Sequence, residues 1–439
     1  MNGNRDHVSE GEPDDHGAGH PAAPWDATFR TRTVHAGQSD GPVRPVSAPI
    51  EFGTSYAFAD AATADSVAQT GAPLYARDGM PNVRALERAV ADLEGADDAV
   101  ATASGMAALS LTMLTLLSAG DHVVLNAGCY QDTVSLLEGH FTRFGVGVTV
   151  AERNDPDAVL AAMTPTTRIV FSETITNPGI VVTDIAAIAR ALRPSGALLA
   201  IDNTFATPAL CRPLTHGADL VLHSAGKFLG GHHDATGGIV AGRHDLIDPI
   251  RRAGYLFGPL LGPLDAWLIL RGIRTLAPRL SWMSASALRV AAALTAHPAI
   301  CAVRYPGLPD ADRRDIAGRT LPRGSGAMLA FDLAGGTDAA VAFTQSLRTI
   351  PYVASVGGTE TIISFPPLPP SQGTGEPARD HRCATLRMSV GLEDPADLIA
   401  DITQALDRLP ISPTLSPATA GGTAAANGRS HETSPDHDT

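Results

Sequence analysis

Between residues 99 and 242 the chain alternates short, almost wholly apolar runs with stretches of helical period, and this alternation restricts its fold more than any other feature. The runs are AVATA (99–103), HVVL (122–125), VGVTV (146–150), RIVFSE (168–173), ALLAIDN (197–203), ADLVLHS (218–224) and GGIVAG (237–242). A strand that is apolar at nearly every position must be covered on both faces, as in a mostly parallel sheet held between helix layers. The segments SGMAALSLTMLTLL, CYQDTVSLLEGHF, DPDAVLAAM and TDIAAIARALR supply the covering helices. Just upstream, Val83, Leu86, Val90 and Leu93 mark a helix over 82–94 that Gly95 closes. A sheet of this kind takes its ligand beyond the carboxyl ends of its strands, so polar residues that directly follow each run are the candidates for chemistry.

The rest of the chain has a different texture. Residues 25–75 carry Pro42, Pro45 and Pro49 and show no clear period, which predicts an extended N-terminal arm. Residues 76–275 read as the α/β domain. Residues 276–412 read as a smaller α+β domain, with a helix over 281–297 stopped by Pro298, strands in GAMLAFDL and ATLRMSV, and a last amphipathic helix over 394–409. The ends, 1–24 and 413–439, have almost nothing to bury and read as disordered tails.

Bulk composition removes several function classes. The balance of 32 basic and 46 acidic residues, 32 − 46 = −14, argues against nucleic acid or an anionic membrane as partner. The longest apolar stretch, Ala107 to Leu117, is too short to span a bilayer. The acidic N-terminus is unlike a secretion or transit signal. Cys129, Cys211, Cys301 and Cys383 show no C-x-x-C spacing, which suits a reduced cytoplasmic protein without structural zinc better than a disulfide scaffold.

One residue stands apart. Of the 32 basic residues, Lys227 is the sole lysine and all others are arginine. Codon bias accounts for the arginines. Lysine, unlike arginine, can act as a neutral amine nucleophile, so the single survivor points to amine chemistry. It follows the strand ADLVLHS closely, and the neighbouring strand ALLAI runs into Asp202. A lysine and an aspartate at adjacent strand ends suit pyridoxal 5'-phosphate. The amine would form an imine, and the carboxylate would hold the pyridine nitrogen protonated. Ser104-Gly105-Met106, at a strand-to-helix junction, could receive the phosphate on backbone N–H groups. Ordinary alternatives for these residues are an N-cap at Ser104, a turn residue at Asp202 and a surface lysine at 227. His232-His233-Asp234 is not expected to bind a metal, since adjacent histidines point apart on most backbones.

From about residue 30 to 409 the sequence resembles the cysteine/methionine-metabolism family of pyridoxal phosphate-dependent enzymes. The most specific stretch is DLVLHSAGKFLGGHHDATGG (219–238), supported by YARDGMPNVRALE (75–87), ATASGMAAL (101–109), ETITNP (173–178), AIDNTFATP (200–208), LDAWLILRGIRTL (264–276) and RMSVGLED (387–394). The resemblance implies the fold of pyridoxal phosphate-dependent transferases, fold type I. It implies Lys227 as the cofactor-bearing lysine and base, and Asp202 as the partner of the pyridine nitrogen. Tyr130 would be a stacking phenol of lowered pKa. Gly105, Met106 and Ser224 would hold the phosphate, with Tyr75 and Arg77 donated to it from a neighbouring subunit. Asn177 would lie near the ring oxygen, Arg387 on the substrate carboxylate and Ser355 beside it. It implies a homotetramer built from dimers that share active sites, acting on a small amino acid.

The departures narrow the chemistry. Gly226 stands where the family usually has a threonine, Met80-Pro81-Asn82 replaces Asn-Pro-Thr, and ISFPPLPPSQGTG (363–375) replaces the usual substrate-side stretch. Tyr130 is followed by Gln131-Asp132 without the cysteine of methionine γ-lyases, and Ala354 stands where cystathionine-cleaving lyases often have a glutamate. The expected reaction is γ-elimination or γ-replacement on an O-acylhomoserine or a sulfur-containing amino acid. β-Elimination from cystathionine-like substrates is the alternative, and cofactor binding without turnover the third reading.

Overall fold

The computed structural model describes residues 28–38, 42–70, 74–365 and 383–410. Both expected tails and most of the 363–375 stretch lie outside these residues.

All seven apolar runs form strands: β1 (Asp98–Thr102), β2 (His122–Leu125), β3 (Gly147–Val150), β4 (Thr167–Glu173), β5 (Leu198–Asp202), β6 (Leu220–Ser224) and β7 (Gly238–Gly242). They make one sheet in the order β1-β7-β6-β5-β4-β2-β3. The pairings among β3, β2, β4, β5 and β6 are parallel, and β7 runs antiparallel to both of its neighbours. Because β5 and β6 are parallel neighbours, Asp202 and Ser224 close the same edge of the sheet.

Alternation along each strand divides the core between two faces. On one face Val124, Val170, Leu199, Ile201 and Ile239 pack with Leu86, Val90 and Leu93 of the Pro81–Glu94 helix. On the other, Leu125, Phe171, Ala200, Leu222 and Val240 pack with Leu109, Leu111 and Met113 of the Gly105–Leu116 helix. Each fully buried side chain of this size contributes about 1.5–3 kcal/mol over exposure. This double cover is what the unbroken apolar runs required.

A second, antiparallel sheet has the order β10-β11-β9-β8, from β8 (Ile300–Arg304), β9 (Met328–Ala334), β10 (Ile362–Ser364) and β11 (Cys383–Ser389). Its core joins Leu329, Phe331 and Leu386 to Val290 and Leu294 of the long Leu276–Thr295 helix. The last helix spans Pro395–Leu406.

Two expectations need correction. The region read as an extended arm contains helices at Phe29–Val34 and Ala61–Gln69. The second is capped by Asp60, whose side chain accepts from Thr63 N at 2.7 Å, a local signal that the prolines upstream obscured. The four cysteines are also not all free. Cys301 on β8 and Cys383 on β11 form a disulfide, while Cys129 and Cys211 are free and buried. The bonded pair is 82 residues apart in sequence and meets only through strand pairing, so sequence spacing carried no sign of it.

Candidate active site

The carboxyl edge of the large sheet gathers most of the predicted residues. Ser104 caps the Gly105–Leu116 helix, its hydroxyl accepting from Ala107 N at 3.1 Å. The helix start lies directly on the end of β6. A Cβ on Gly105 would stand 2.9 Å from Ser224 Cβ, and one on Gly238 would stand 2.0 Å from Ser104 O. Only glycine permits this approach, which places the first N–H groups of a helix beside the Ser224 hydroxyl and makes a cradle for an oxyanion. Met106 follows in the same first turn.

Asp202 takes hydrogen bonds from Thr204, whose N–H reaches Oδ1 at 2.8 Å. Burial pushes its carboxyl above the ordinary aspartate range, with Thr204 opposing. A buried carboxylate of this kind calls for a cation, and a protonated pyridine nitrogen is one. The cradle, the carboxylate and the lysine together fit pyridoxal 5'-phosphate.

Lys227 lies in the turn after β6, and its Nζ donates to Ser355 Oγ at 3.0 Å. Desolvation lowers the amine's pKa, and the nearby Arg387 guanidinium lowers it further. Arg387, on β11, donates from Nη1 to Asn177 Oδ1 at 2.8 Å and from Nη2 to Ser364 Oγ at 3.0 Å and Ser355 O at 3.3 Å. Its Nε is buried without a partner among the described residues. A buried guanidinium with a spare donor beside an amine suits the carboxylate of an amino acid.

Tyr130 differs from expectation. Its phenol is not lowered but pushed up to about 12, first by burial and then by the hydrogen bond it donates to Asp132 Oδ2 at 2.5 Å. A neighbouring carboxylate opposes phenolate formation, and spacing alone did not show that Asp132 turns back on the ring. The Tyr130 backbone N–H donates to Glu173 Oε1 at 2.6 Å.

Tyr75 and Arg77 stand apart from the others. Both are exposed, and the Arg77 guanidinium lies 5.0 Å from the Tyr75 ring centre and 4.8 Å from that of Tyr255. Arg77 Nη2 donates to Tyr255 Oη at 3.3 Å. Among the described residues no hydrogen bond connects this pair to Lys227 or Asp202.

Gly226 has a steric reason. A Cβ there would lie 2.3 Å from Ala235 O and 3.2 Å from Thr236 Cα, so the returning 235–236 backbone occupies the space of any side chain. His232 and His233 diverge: His232 Nδ1 is 2.8 Å from Gly230 O, while the His233 ring lies over Gly358, whose added Cβ would meet it at 1.9 Å.

The strand-end rule points to Thr204, directly after Asp202, but passes over Glu173, Ser364 and Tyr255. Glu173 sits at a strand end where the same rule could have found it; Ser364 lies in a three-residue strand and Tyr255 inside a helix, with no local signal.

The family model described as "Cys/Met metabolism PLP-dependent enzyme" matches residues 30–407. The chain is 40% identical over 391 residues to O-succinylhomoserine sulfhydrylase of Pseudomonas aeruginosa, covering 87% of this chain and 96% of that protein. It is 36% identical over 392 residues to L-methionine gamma-lyase of Porphyromonas gingivalis, covering 87% and 97%. It is 38% identical over 379 residues to cystathionine gamma-synthase of Mycobacterium tuberculosis, covering 86% and 96%. The crystal structure of metB from Corynebacterium glutamicum superposes with a TM-score of 0.81 at 34% identity, covering 87% of this chain and 98% of that one. With the lysine, the buried carboxylate and the glycine-lined cradle at one sheet edge, these matches show that the chain belongs to the Cys/Met-metabolism family of pyridoxal phosphate-dependent enzymes.

Proposed function

We propose that this enzyme carries out γ-replacement or γ-elimination on an amino acid of the O-acylhomoserine or sulfur-containing class, with replacement on an O-acylhomoserine the leading case. The observation that carries the reading is the meeting of Lys227 with Ser355 and Arg387. It sets a desolvated amine beside a guanidinium with an unfilled donor.

When bound, the cofactor supplies an electron sink for carbanions formed beside the amino group. Arg387 binds the substrate carboxylate and, with Asn177 and Ser364 steering its fork, fixes which face of Cα meets Lys227. Lys227 Nζ moves the Cα proton, a role served by an amine whose burial keeps more of it neutral near pH 7. Ser355 Oγ holds that amine in place. Asp202 would hold the pyridine nitrogen in its charged form, and the Gly105 cradle with Met106 and Ser224 would take the phosphate. Tyr130, protonated over the physiological range, acts as a proton donor toward the leaving group.

The preference for replacement over elimination rests on Gln131-Asp132 and Ala354, which lack the cysteine and glutamate of methionine γ-lyases and cystathionine-cleaving lyases. Supplying O-succinylhomoserine or O-acetylhomoserine with sulfide or cysteine, then methionine and cystathionine alone, distinguishes the outcomes. A new thioether or thiol product marks replacement, 2-oxobutyrate marks γ-elimination, and pyruvate from cystathionine marks the β-lyase alternative.

A second copy of the chain is proposed as partner, within a homotetramer. Leu256 is 80% exposed and Phe257 64% exposed next to Tyr255, Tyr75 and Arg77, an apolar surface continuous with the outward-facing clamp. Among the described residues no helix is long and apolar enough to cross a membrane. A cytoplasmic location fits this metabolism, and the Cys301–Cys383 bond is the feature that speaks for an oxidising milieu.

A further inference from the structure

Behind the strand ends that carry Asp202 and Ser224 lies a buried polar cluster to which no role has been given. Glu94, the last residue of the Pro81–Glu94 helix, accepts on one oxygen, Oε1, from His223 Nε2 at 2.7 Å and from Asn203 Nδ2 at 3.0 Å. Glu94, His223 and Asn203 are 0%, 1% and 0% exposed. Asn203 also donates to Cys211 O at 3.0 Å and accepts from Thr174 Oγ1 at 2.7 Å.

The cluster is costly as a stabilising device. A buried carboxylate loses several kcal/mol of hydration that pairing only partly restores, and apolar side chains of similar volume often do as well or better. Here Glu94 Oε2 and His223 Nδ1 have no partner among the described residues, so even the hydrogen bonding there is incomplete. What directional bonds supply and apolar contacts do not is a fixed distance. The ladder between β5 and β6 ends at the Asp202–Leu222 pair. Beyond it the strand ends are tied by Asn203 N to Leu222 O at 2.8 Å and, from the side chains, by Ser224 N to Thr204 Oγ1 at 2.8 Å and, toward the Pro81–Glu94 helix, through Glu94. Successive residues of a strand point to opposite faces, so Asn203 and His223 face the Pro81–Glu94 helix while their neighbours Asp202 and Ser224 turn away from it.

We propose that Glu94 is a positioning residue for the cofactor, setting through Asn203 and His223 the separation at which Asp202 and Ser224 engage the two ends of one molecule. The inference rests on the assignment of Asp202 and Ser224 to the pyridine nitrogen and the phosphate.

The test is titration of the cofactor-free protein with pyridoxal 5'-phosphate, read as the dissociation constant and as the visible circular dichroism of the bound form, which reports how rigidly the ring is held. Glu94→Gln keeps an acceptor oxygen and stays within about threefold of wild type. Glu94→Ala and His223→Ala bind at least tenfold more weakly, with reduced visible ellipticity, while their far-ultraviolet spectra show a folded chain. Should Glu94→Ala not fold, His223→Ala gives the same reading. Wild-type affinity and ellipticity in a folded alanine variant overturn the proposal, as does a loss in Glu94→Gln equal to that in Glu94→Ala. Asp202→Asn run alongside separates the two claims. If it weakens binding and the alanine variants do not, only the role of Glu94 falls; if it binds as wild type, the assignment of Asp202 falls first.

Discussion

Lys227 Nζ lies 3.0 Å from Ser355 Oγ, which ties the chain's sole lysine, in the turn after β6, to the segment that leads into β10 of the second sheet. Two cores built from distant parts of the sequence thus meet at one amine. The lysine, the serine and Arg387 are then parts of a single unit: Arg387 donates to the Ser355 carbonyl and also lowers the amine's pKa.

The first consequence concerns protonation. Burial and Arg387 both favour the neutral amine, so in the cofactor-free protein Lys227 loses its proton below the ordinary 10.5 of lysine. Because there is no other lysine, an amine-selective reagent followed by peptide mass spectrometry reads this group alone apart from the N-terminus. The rate should show a midpoint below 10.5, and Arg387→Ala should move it upward by removing the nearby positive charge. A midpoint unmoved by the substitution would mean that the two groups do not interact.

Arg387→Ala should separate substrate binding from cofactor binding. Hydrogen bonds to a charged group are worth about 1.5–3 kcal/mol each, so loss of the fork should lower kcat/KM by about a hundredfold or more. The affinity for pyridoxal 5'-phosphate should stay within a few-fold of wild type. A matching fall in cofactor affinity would place Arg387 elsewhere in the site.

Gly226→Thr makes an unusual prediction, because it introduces the hydroxyl that relatives of this family usually carry. Here its Cβ would meet Ala235 O at 2.3 Å, backbone that cannot swing aside as a side chain does. Overpacking of this kind costs about 1–3 kcal/mol. The variant should melt at a lower temperature and bind the cofactor no more tightly than wild type; tighter binding with unchanged stability would show that the loop yields freely.

Much of this arrangement was legible in the sequence, and for a physical reason. A strand covered on both faces has to be apolar throughout, so all seven strands of the large sheet appeared as runs, and Asp202, Ser224 and Lys227 followed from their ends. The second sheet was only half legible. β9 and β11 are buried, but β8 is a partly exposed edge strand and β10 has three residues, too short for any period. Ser364, on β10, therefore escaped notice although it holds Arg387. The raised phenol of Tyr130 depends on where Asp132 turns, and the space at Gly226 depends on backbone nine residues later. Such contacts are made by folding and leave no pattern along the chain.

The cysteines give a fourth prediction. With Cys301 and Cys383 bonded, the denatured, unreduced protein should yield two titratable thiols and the reduced protein four. In the chain-entropy picture, closing a loop of 82 residues stabilises the fold by about 4.5 kcal/mol, so reduction should lower the melting temperature. Four thiols without reductant would return all four cysteines to the free state.

The central claim is that Lys227 is the amine that carries the cofactor. The most direct measurement is the visible absorbance of the purified protein with pyridoxal 5'-phosphate, before and after borohydride reduction, in wild type and in Lys227→Ala. Wild type should show the band, and after reduction the added mass should sit on the peptide containing Lys227; the variant should show neither. A band and a reducible adduct that persist in Lys227→Ala would contradict the account.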